Sequence, residues 1–273
     1  MTARNPKELQ HKIQQTSGAT TLLSTLREVE INLIDACNRV CSFCPHSQDN
    51  YQYRNGRADL DLFKVIGDQL LAQNYTGIIT LCGFGEPTMY KQLADAVKIL
   101  SKIGVGIELV TNGEILTKKK LDNLFTQGLT YISISVYEEK YLAHAESLIK
   151  NLTDDQWLIR HRYRNEIEIV NRNEMIVNTS TITRTSPCWL PTYKMLINHT
   201  GDVMLCCNDW TRSNTYGNVF SDNLWDIWLN TLADKRKELL SATNITGVCS
   251  GCDIYGKVYG NNSAEVFIKE YNL

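Results

Sequence analysis

The 273-residue sequence has no apolar run long enough to span a bilayer. It has no hydrophobic leader region in its polar first 17 residues, and no short-period repeat or low-complexity tract. It also lacks an excess of charge, with a formal net charge of −2. These absences argue against membrane insertion, against secretion through a cleaved leader, and against a global basic field for nucleic acid. No membrane and no nucleic-acid partner are expected. With 43% hydrophobic and 21% charged residues, general disorder is excluded and a packed core is expected. The length suits one large domain, or one domain with a small appendix. What the chain has in quantity is cysteine, nine in all. Without a leader these read as metal ligands rather than disulfides, and the expected compartment is the reducing cytoplasm.

Strand-like and helix-like segments alternate along the chain. Residues 6–15 read as a short leading helix. Residues 29–35 are apolar at alternate positions, as a half-buried strand is. Further strands are expected at 77–82, 105–111, 131–136, 157–163 and 174–179, with helices at 60–73, 90–103, 116–127 and 138–151 between them. Repeated βα units imply a parallel sheet with helices outside. A full eight-unit barrel takes about 250 residues, so the stretch 27–185 suits six units better. The pattern changes after Pro187. Residues 193–197 and 203–207 flank a turn-rich segment that signals a hairpin. A helix at about 222–240 follows, then a glycine-rich loop with Cys249 and Cys252. The expected divisions are 1–26, an N-terminal extension, 27–185, an α/β core, and 186–273, a small C-terminal domain.

Cys37, Cys41 and Cys44 are spaced C-x3-C-x2-C directly after the first expected strand. A four-iron cubane normally takes four cysteines. A loop supplying three leaves one iron open to a small molecule, the distinction that also separates closed structural metal sites from open catalytic ones. On the residues alone the alternatives are a zinc site, or an electron-transfer cluster with a distant fourth thiolate such as Cys82. Cys82 itself reads better as a core residue. The loop's place at the C-terminal end of a barrel strand is where barrel active sites sit. With the aromatic Phe43 just before the third cysteine, the motif resembles that of radical S-adenosylmethionine enzymes. The resemblance implies an α/β fold built on a partial (β/α)6 TIM-like barrel, and a 4Fe-4S cluster whose open iron holds S-adenosylmethionine. It further implies reductive cleavage of that cofactor to methionine and a 5′-deoxyadenosyl radical, which removes a hydrogen atom from an unactivated C–H bond. A flavodoxin or ferredoxin-type donor is implied as the electron source.

Later motifs fall at later strand ends. Gly83-Phe84-Gly85-Glu86-Pro87 follows the second strand, and its glycines allow close backbone approach to a ligand. It resembles the family's glycine-glycine-glutamate motif, with Phe84 as a departure, so Gly83, Gly85 and Glu86 are implied to hold the cofactor's amino group. The alternative is an ordinary turn with Pro87 opening a helix. Asn112, before Gly113, reads equally as a turn residue or a cofactor contact. Ser135 resembles a position that meets the methionine carboxylate or the ribose, although relatives often carry aspartate where this chain has Tyr137. In an extended strand Arg160, Arg162 and Arg164 share one face. That face reads either as a solvated edge or as a binding wall, with Arg160 and Arg162 the inward pair.

In the C-terminal region Cys188, Cys206, Cys249 and Cys252 resemble the ligands of a SPASM or shortened twitch domain. They imply a single auxiliary 4Fe-4S cluster, because no cysteine follows Cys252. Cys207 is the spare thiol and a candidate hydrogen donor, and an exchange of roles with Cys206 stays open. The alternative is a four-cysteine zinc knuckle. The expected reaction is oxidation or epimerisation of a small polar substrate of sugar or aminocyclitol type. The short segment before residue 27 favours this over a ribosomally made or carrier-borne peptide. A zinc-stabilised binding module is the non-enzymatic reading.

Overall fold

The computed structural model describes residues 6–49, 51, 55–164, 170–172, 175–176 and 183–273. A leading helix, α1 (Pro6–Thr16), precedes five parallel strands: β1 (Glu28–Asn32), β2 (Ile78–Cys82), β3 (Gly106–Thr111), β4 (Tyr131–Val136) and β5 (Trp157–His161). Between them lie α2 (Leu60–Ala72), α3 (Leu93–Leu100), α4 (Lys118–Thr126) and α5 (Leu142–Ile149). Three further strands, β6 (Lys194–Ile197), β7 (Asp202–Met204) and β8 (Thr215–Asn218), extend the same sheet in the order β5-β4-β3-β2-β1-β6-β7-β8. The fold is the α/β partial barrel expected, with a C-terminal α+β region. The expected hairpin forms as antiparallel β6 and β7.

The boundaries differ from expectation for identifiable reasons. β1 stops at Asn32 because the next residues leave the sheet to pair elsewhere: Asp35 N–H donates to Gly56 (2.9 Å), and Ala58 N–H donates to Leu33 (2.8 Å). β5 stops at His161 because Arg162–Arg164 turn into a short 3-10 helix. Strand-face sharing therefore does not extend past Arg160. The expected strand at 174–179 lies largely outside the described residues. Met175 and Ile176, which are described, lie in a turn and a bend. β6 runs parallel to β1 on its other side, Glu28 beside Lys194 and Ile31 beside Ile197.

Both faces of the parallel strands are buried, with opposite chemistry. Val29, Ile31, Ile79, Leu81, Ile107, Leu109, Ile132 and Ile134 join the apolar core with residues of α2 to α5. The alternate set includes Glu28, Glu30, Thr80, Glu108, Ser133 and Arg160, all buried. This polar face is covered by α1. Lys12 Nζ lies 3.2 Å from Glu108 and 3.5 Å from Glu28. Gln15 donates to Glu108 (3.1 Å), and His11 stacks on Tyr131 at 3.8 Å. From the other side Lys194 reaches Glu28 (3.2 Å) and Glu30. Glu8 lies 2.9 Å from Arg160 and 3.4 Å from Arg162. Four carboxylates thus meet four cations, so no charge of this network is left in the low-dielectric interior without a partner.

Burial alone would raise the Glu28 carboxyl. Lys12 and Lys194 outweigh burial and hold it at about 2 against an ordinary 4.5. Its folded value is depressed, so its stabilising contribution is complete above pH 4.5 and is lost as pH falls toward 2. Urea unfolding across this range should show that loss, and Glu28→Gln should flatten it. Lys12→Met, which leaves Glu108 and Glu28 short of a cation, should cost about 3–5 kcal/mol at neutral pH. A cost within about 0.5 kcal/mol would mean that the network is solvated.

Candidate active site

A cavity of about 530 Å3 opens where the strands β1 to β5 end, and Cys37, Cys41 and Cys44 form part of its wall. Their loop is fixed from several sides. Cys44 N–H donates to Cys41 carbonyl (2.9 Å), and Arg39 N–H points at Cys37 Sγ (3.4 Å). The Arg39 side chain pairs with Glu114 and, at 3.0 Å, with Glu138. It also lies over the Tyr137 ring, which packs 5.3 Å from Phe43. Tyr137 thus braces the cluster loop from the end of β4. Burial pushes the Cys37 thiol up to about 11, so ligation there must displace a proton.

The segment 83–87 lies directly against this loop. Glu86 N–H donates to Ala36 carbonyl (2.8 Å). A Cβ on Gly85 would sit 2.3 Å from Ile34 carbonyl oxygen and 2.5 Å from that of Ala36, so only glycine allows this approach. Gly83 adopts φ +131°, where a Cβ would strike the Asn32 side chain; Asn32 Oδ1 accepts from Phe84 N–H (3.0 Å). The buried Glu86 carboxylate accepts from Thr88 N–H (3.0 Å), Thr88 hydroxyl (2.6 Å), Thr111 hydroxyl (2.5 Å) and Asn112 N–H (2.9 Å). Among the described residues, three of these donors crowd Oε1 and only Asn112 N–H meets Oε2, so Glu86 locks the ends of β2 and β3 together and keeps acceptor capacity on Oε2. Asn112 in turn donates to Asn38 of the cluster loop (2.8 Å).

Phe43, Gly83, Gly85, Glu86, Asn112, Ser135, Arg160 and Arg162 all line the same cavity. Cys82 faces it as well, at the end of β2, rather than the apolar core. Sequence reasoning missed Glu8, Glu30, Arg172, Asn208 and Trp210, which complete the wall. Trp210 packs edge-on against Phe84 at 4.8 Å, and its buried Nε1–H has no acceptor among the described residues. No local spacing marks these residues, because they arrive from separate parts of the chain. A second brace joins the two halves of the molecule. Arg212 grips the fully buried Asp35 with two hydrogen bonds of 2.9 and 2.6 Å, and it lies 4.5 Å over the Phe84 ring.

Cys188, Cys206, Cys249 and Cys252 border a separate small cavity with Leu190, Leu205, Leu239 and Ile254. Arg184 points an N–H at Cys252 Sγ (3.5 Å). Cys207 does not line this cavity; it lines the large one. The chain turns at Cys207, just past the end of β7, and the two thiols part to different cavities. Asn208 borders both cavities. Among the described residues no three Cys, His, Asp or Glu side chains gather where they could hold a single metal ion. A cubane instead spreads its thiolates over separate irons. The donor sets suit two clusters, three thiols beside a large cavity and four around a small, mainly apolar one.

The chain matches the Radical SAM superfamily over residues 31–139 and the SPASM iron–sulfur cluster-binding domain over 188–253. It is 24% identical over 241 residues to the S-adenosyl-L-methionine-dependent 2-deoxy-scyllo-inosamine dehydrogenase of Niallia circulans, covering 85% of this chain and 93% of that protein. A shorter similarity, 29% over 113 residues, links it to a tungsten-containing aldehyde ferredoxin oxidoreductase cofactor-modifying protein of Pyrococcus furiosus, covering 41% of this chain and 31% of that one. Its fold is similar to a crystal structure of BtrN in complex with AdoMet and 2-DOIA, with TM-score 0.75, 22% identity, and coverage of 86% of this chain and 96% of the other. It is less similar to anSMEcpe with bound AdoMet, with TM-score 0.54, 13% identity, and coverage of 89% and 96%.

Metal content tests the sorting of the thiols. Anaerobic reconstitution should give about eight irons per chain. Cys206→Ala should lose about four of them, and Cys207→Ala none. Equal losses from the two variants would contradict the assignment.

Proposed function

Since this chain belongs to the radical SAM superfamily and carries a SPASM-type iron–sulfur domain, we propose that it oxidises a small polar substrate of sugar or aminocyclitol type by hydrogen-atom abstraction. The observation that carries the reading is the single cavity shared by the three-thiol loop, the segment 83–86 and the arginines of the β5 end. When bound, the open cluster with S-adenosylmethionine supplies a 5′-deoxyadenosyl radical, and the auxiliary cluster supplies a one-electron acceptor. The substrate class is drawn from the similarity that runs through 93% of a dehydrogenase acting on 2-deoxy-scyllo-inosamine. A flavodoxin or ferredoxin-type protein is the proposed electron donor.

The chain's own residues position and exclude. Cys37, Cys41 and Cys44 hold the open cluster, and Phe43 shields it on the Tyr137 side. Glu86 fixes the backbone through Oε1 and offers Oε2, which among the described residues accepts only from Asn112 N–H, to the cofactor's ammonium. The carbonyls of 83–85 then meet the cofactor's ammonium, as charge-assisted acceptors do. Asn112 and Ser135 present polar groups to the rest of the cofactor. Arg160 and Arg162 stand on the substrate side. Phe84 and Trp210 form an apolar wall that limits water near the reacting carbon.

Epimerisation is the second reading, and Cys207 favours it: a thiol in the cavity wall is able to return a hydrogen atom. With dithionite and S-adenosylmethionine, the reconstituted protein should form 5′-deoxyadenosine slowly without substrate, and the Cys37→Ala variant should not. A colourless, zinc-containing protein that forms none would contradict the proposal. Cys207→Ala should keep product formation if the reaction is an oxidation. Lost product with continued 5′-deoxyadenosine release, at full iron content, would favour epimerisation.

A further inference from the structure

We propose that Glu8, on the leading helix α1, is a specificity-determining residue. Its carboxylate takes the anion position of the Arg160–Arg162 pair and restricts this part of the pocket to uncharged or cationic substrate groups. The proposal rests on the reading of the 530 Å3 cavity as the substrate pocket.

Two guanidinium groups at one strand end ordinarily make a site for carboxylate or phosphate, whose oxygens match the N–H fork. Here the anion is internal. Glu8 Oε1 lies 2.9 Å from Arg160 Nε and 3.4 Å from Arg162 Nη2, and all three residues line the cavity. The carboxylate is delivered by a fixed element. One turn further along, α1 is pinned by Lys12 on Glu108 and Glu28 and by His11 stacked on Tyr131. Arg160 is 8% exposed, so it is not free to swing away from Glu8. The helix also precedes the matched residues 31–139, so this carboxylate is an addition to the matched core.

The other charged groups of the wall have their own partners. Glu30 is held by Lys194, Arg39 by Glu114 and Glu138, and Glu86 by its four donors. Arg172 donates to Asn208 at 2.7 Å. Losing the Glu8 charge therefore removes one negative charge from beside Arg160 and Arg162, with Glu108 still 4.0 Å from Arg160. With Glu8 present, an anionic substrate group must either displace it or sit beside a like charge. That is selection against the wrong ligand by a repulsive element.

The test is calorimetric titration of reconstituted holoenzyme with inorganic phosphate. Glu8→Gln should bind phosphate at least about tenfold more tightly than the parent. Adding Arg162→Gln to Glu8→Gln should abolish the gain. Equal affinity in parent and Glu8→Gln, or a gain that survives the second change, overturns the assignment. Should Glu8→Gln fail to fold, Arg162→Gln alone decides. It leaves this part of the pocket more negative and should raise the ratio of glucosamine to glucose affinity about threefold or more, whereas an unchanged ratio overturns the proposal. Formation of 5′-deoxyadenosine by the parent preparation reports separately on the proposed function. Its absence with the charge pattern intact would overturn that function and leave the role of Glu8 standing.

Discussion

The interior of this barrel is held by charge. A partial barrel is too wide for strand side chains alone to fill, as they do in a closed eight-stranded one. The concave face is occupied instead by α1, whose Lys12 and Glu8 meet strand residues of opposite sign. Such a network is neutral in its worth compared with a packed apolar core, but costly to break at one member. The arrangement thus specifies one seating for α1 and one orientation for each strand's inward row. The cavity above this layer inherits its walls from the same rows: Glu30 follows Glu28 on β1, Val110 follows Glu108 on β3, and Ser135 follows Ser133 on β4.

Above that layer, the two thiol sets are kept apart yet adjacent. Cys206 turns to the small cavity and Cys207 to the large one, with Asn208 bordering both. The halves are stapled by Arg212 on Asp35, two residues before Cys37. A buried bidentate ion pair resists sliding as well as separation, so the cluster loop and the C-terminal region keep one relative placement. Phe84, in the segment that meets the loop, packs between Arg212 and Trp210. One staple therefore orients the cluster loop, the cofactor segment and the far wall of the pocket.

Much of this was legible in the sequence. The apolar alternation read at residues 29–35 arises because one strand face packs under helices, and C-x3-C-x2-C is a local pattern. The charged partner of that alternation was misleading on its own. Glu28, Glu30 and Glu108 look like solvent-facing positions, yet they are buried, because their partners are distant in sequence, Lys12 on α1 and Lys194 on β6. Helix α1 was visible as a helix, but its burial against the strands was not. The basic run at 160–164 was read as one strand face, whereas a 3-10 turn begins at Arg162 and Glu8 supplies the anion. Cys82 read as core, yet strand alternation puts it on the face of Thr80, opposite Ile79 and Leu81, and so into the pocket wall. The split between Cys206 and Cys207 depended on a turn that begins at Cys207, and spacing carries no information on that.

The central claim is an asymmetry: an open cluster in the barrel cavity and a closed one in the C-terminal region. Electron paramagnetic resonance of the dithionite-reduced holoenzyme, recorded with and without S-adenosylmethionine, addresses it directly. The account predicts two reduced-cluster signals, of which the cofactor shifts only one, the one absent when Cys37, Cys41 and Cys44 are replaced by alanine. A cofactor-induced shift in the signal that survives that replacement would contradict it.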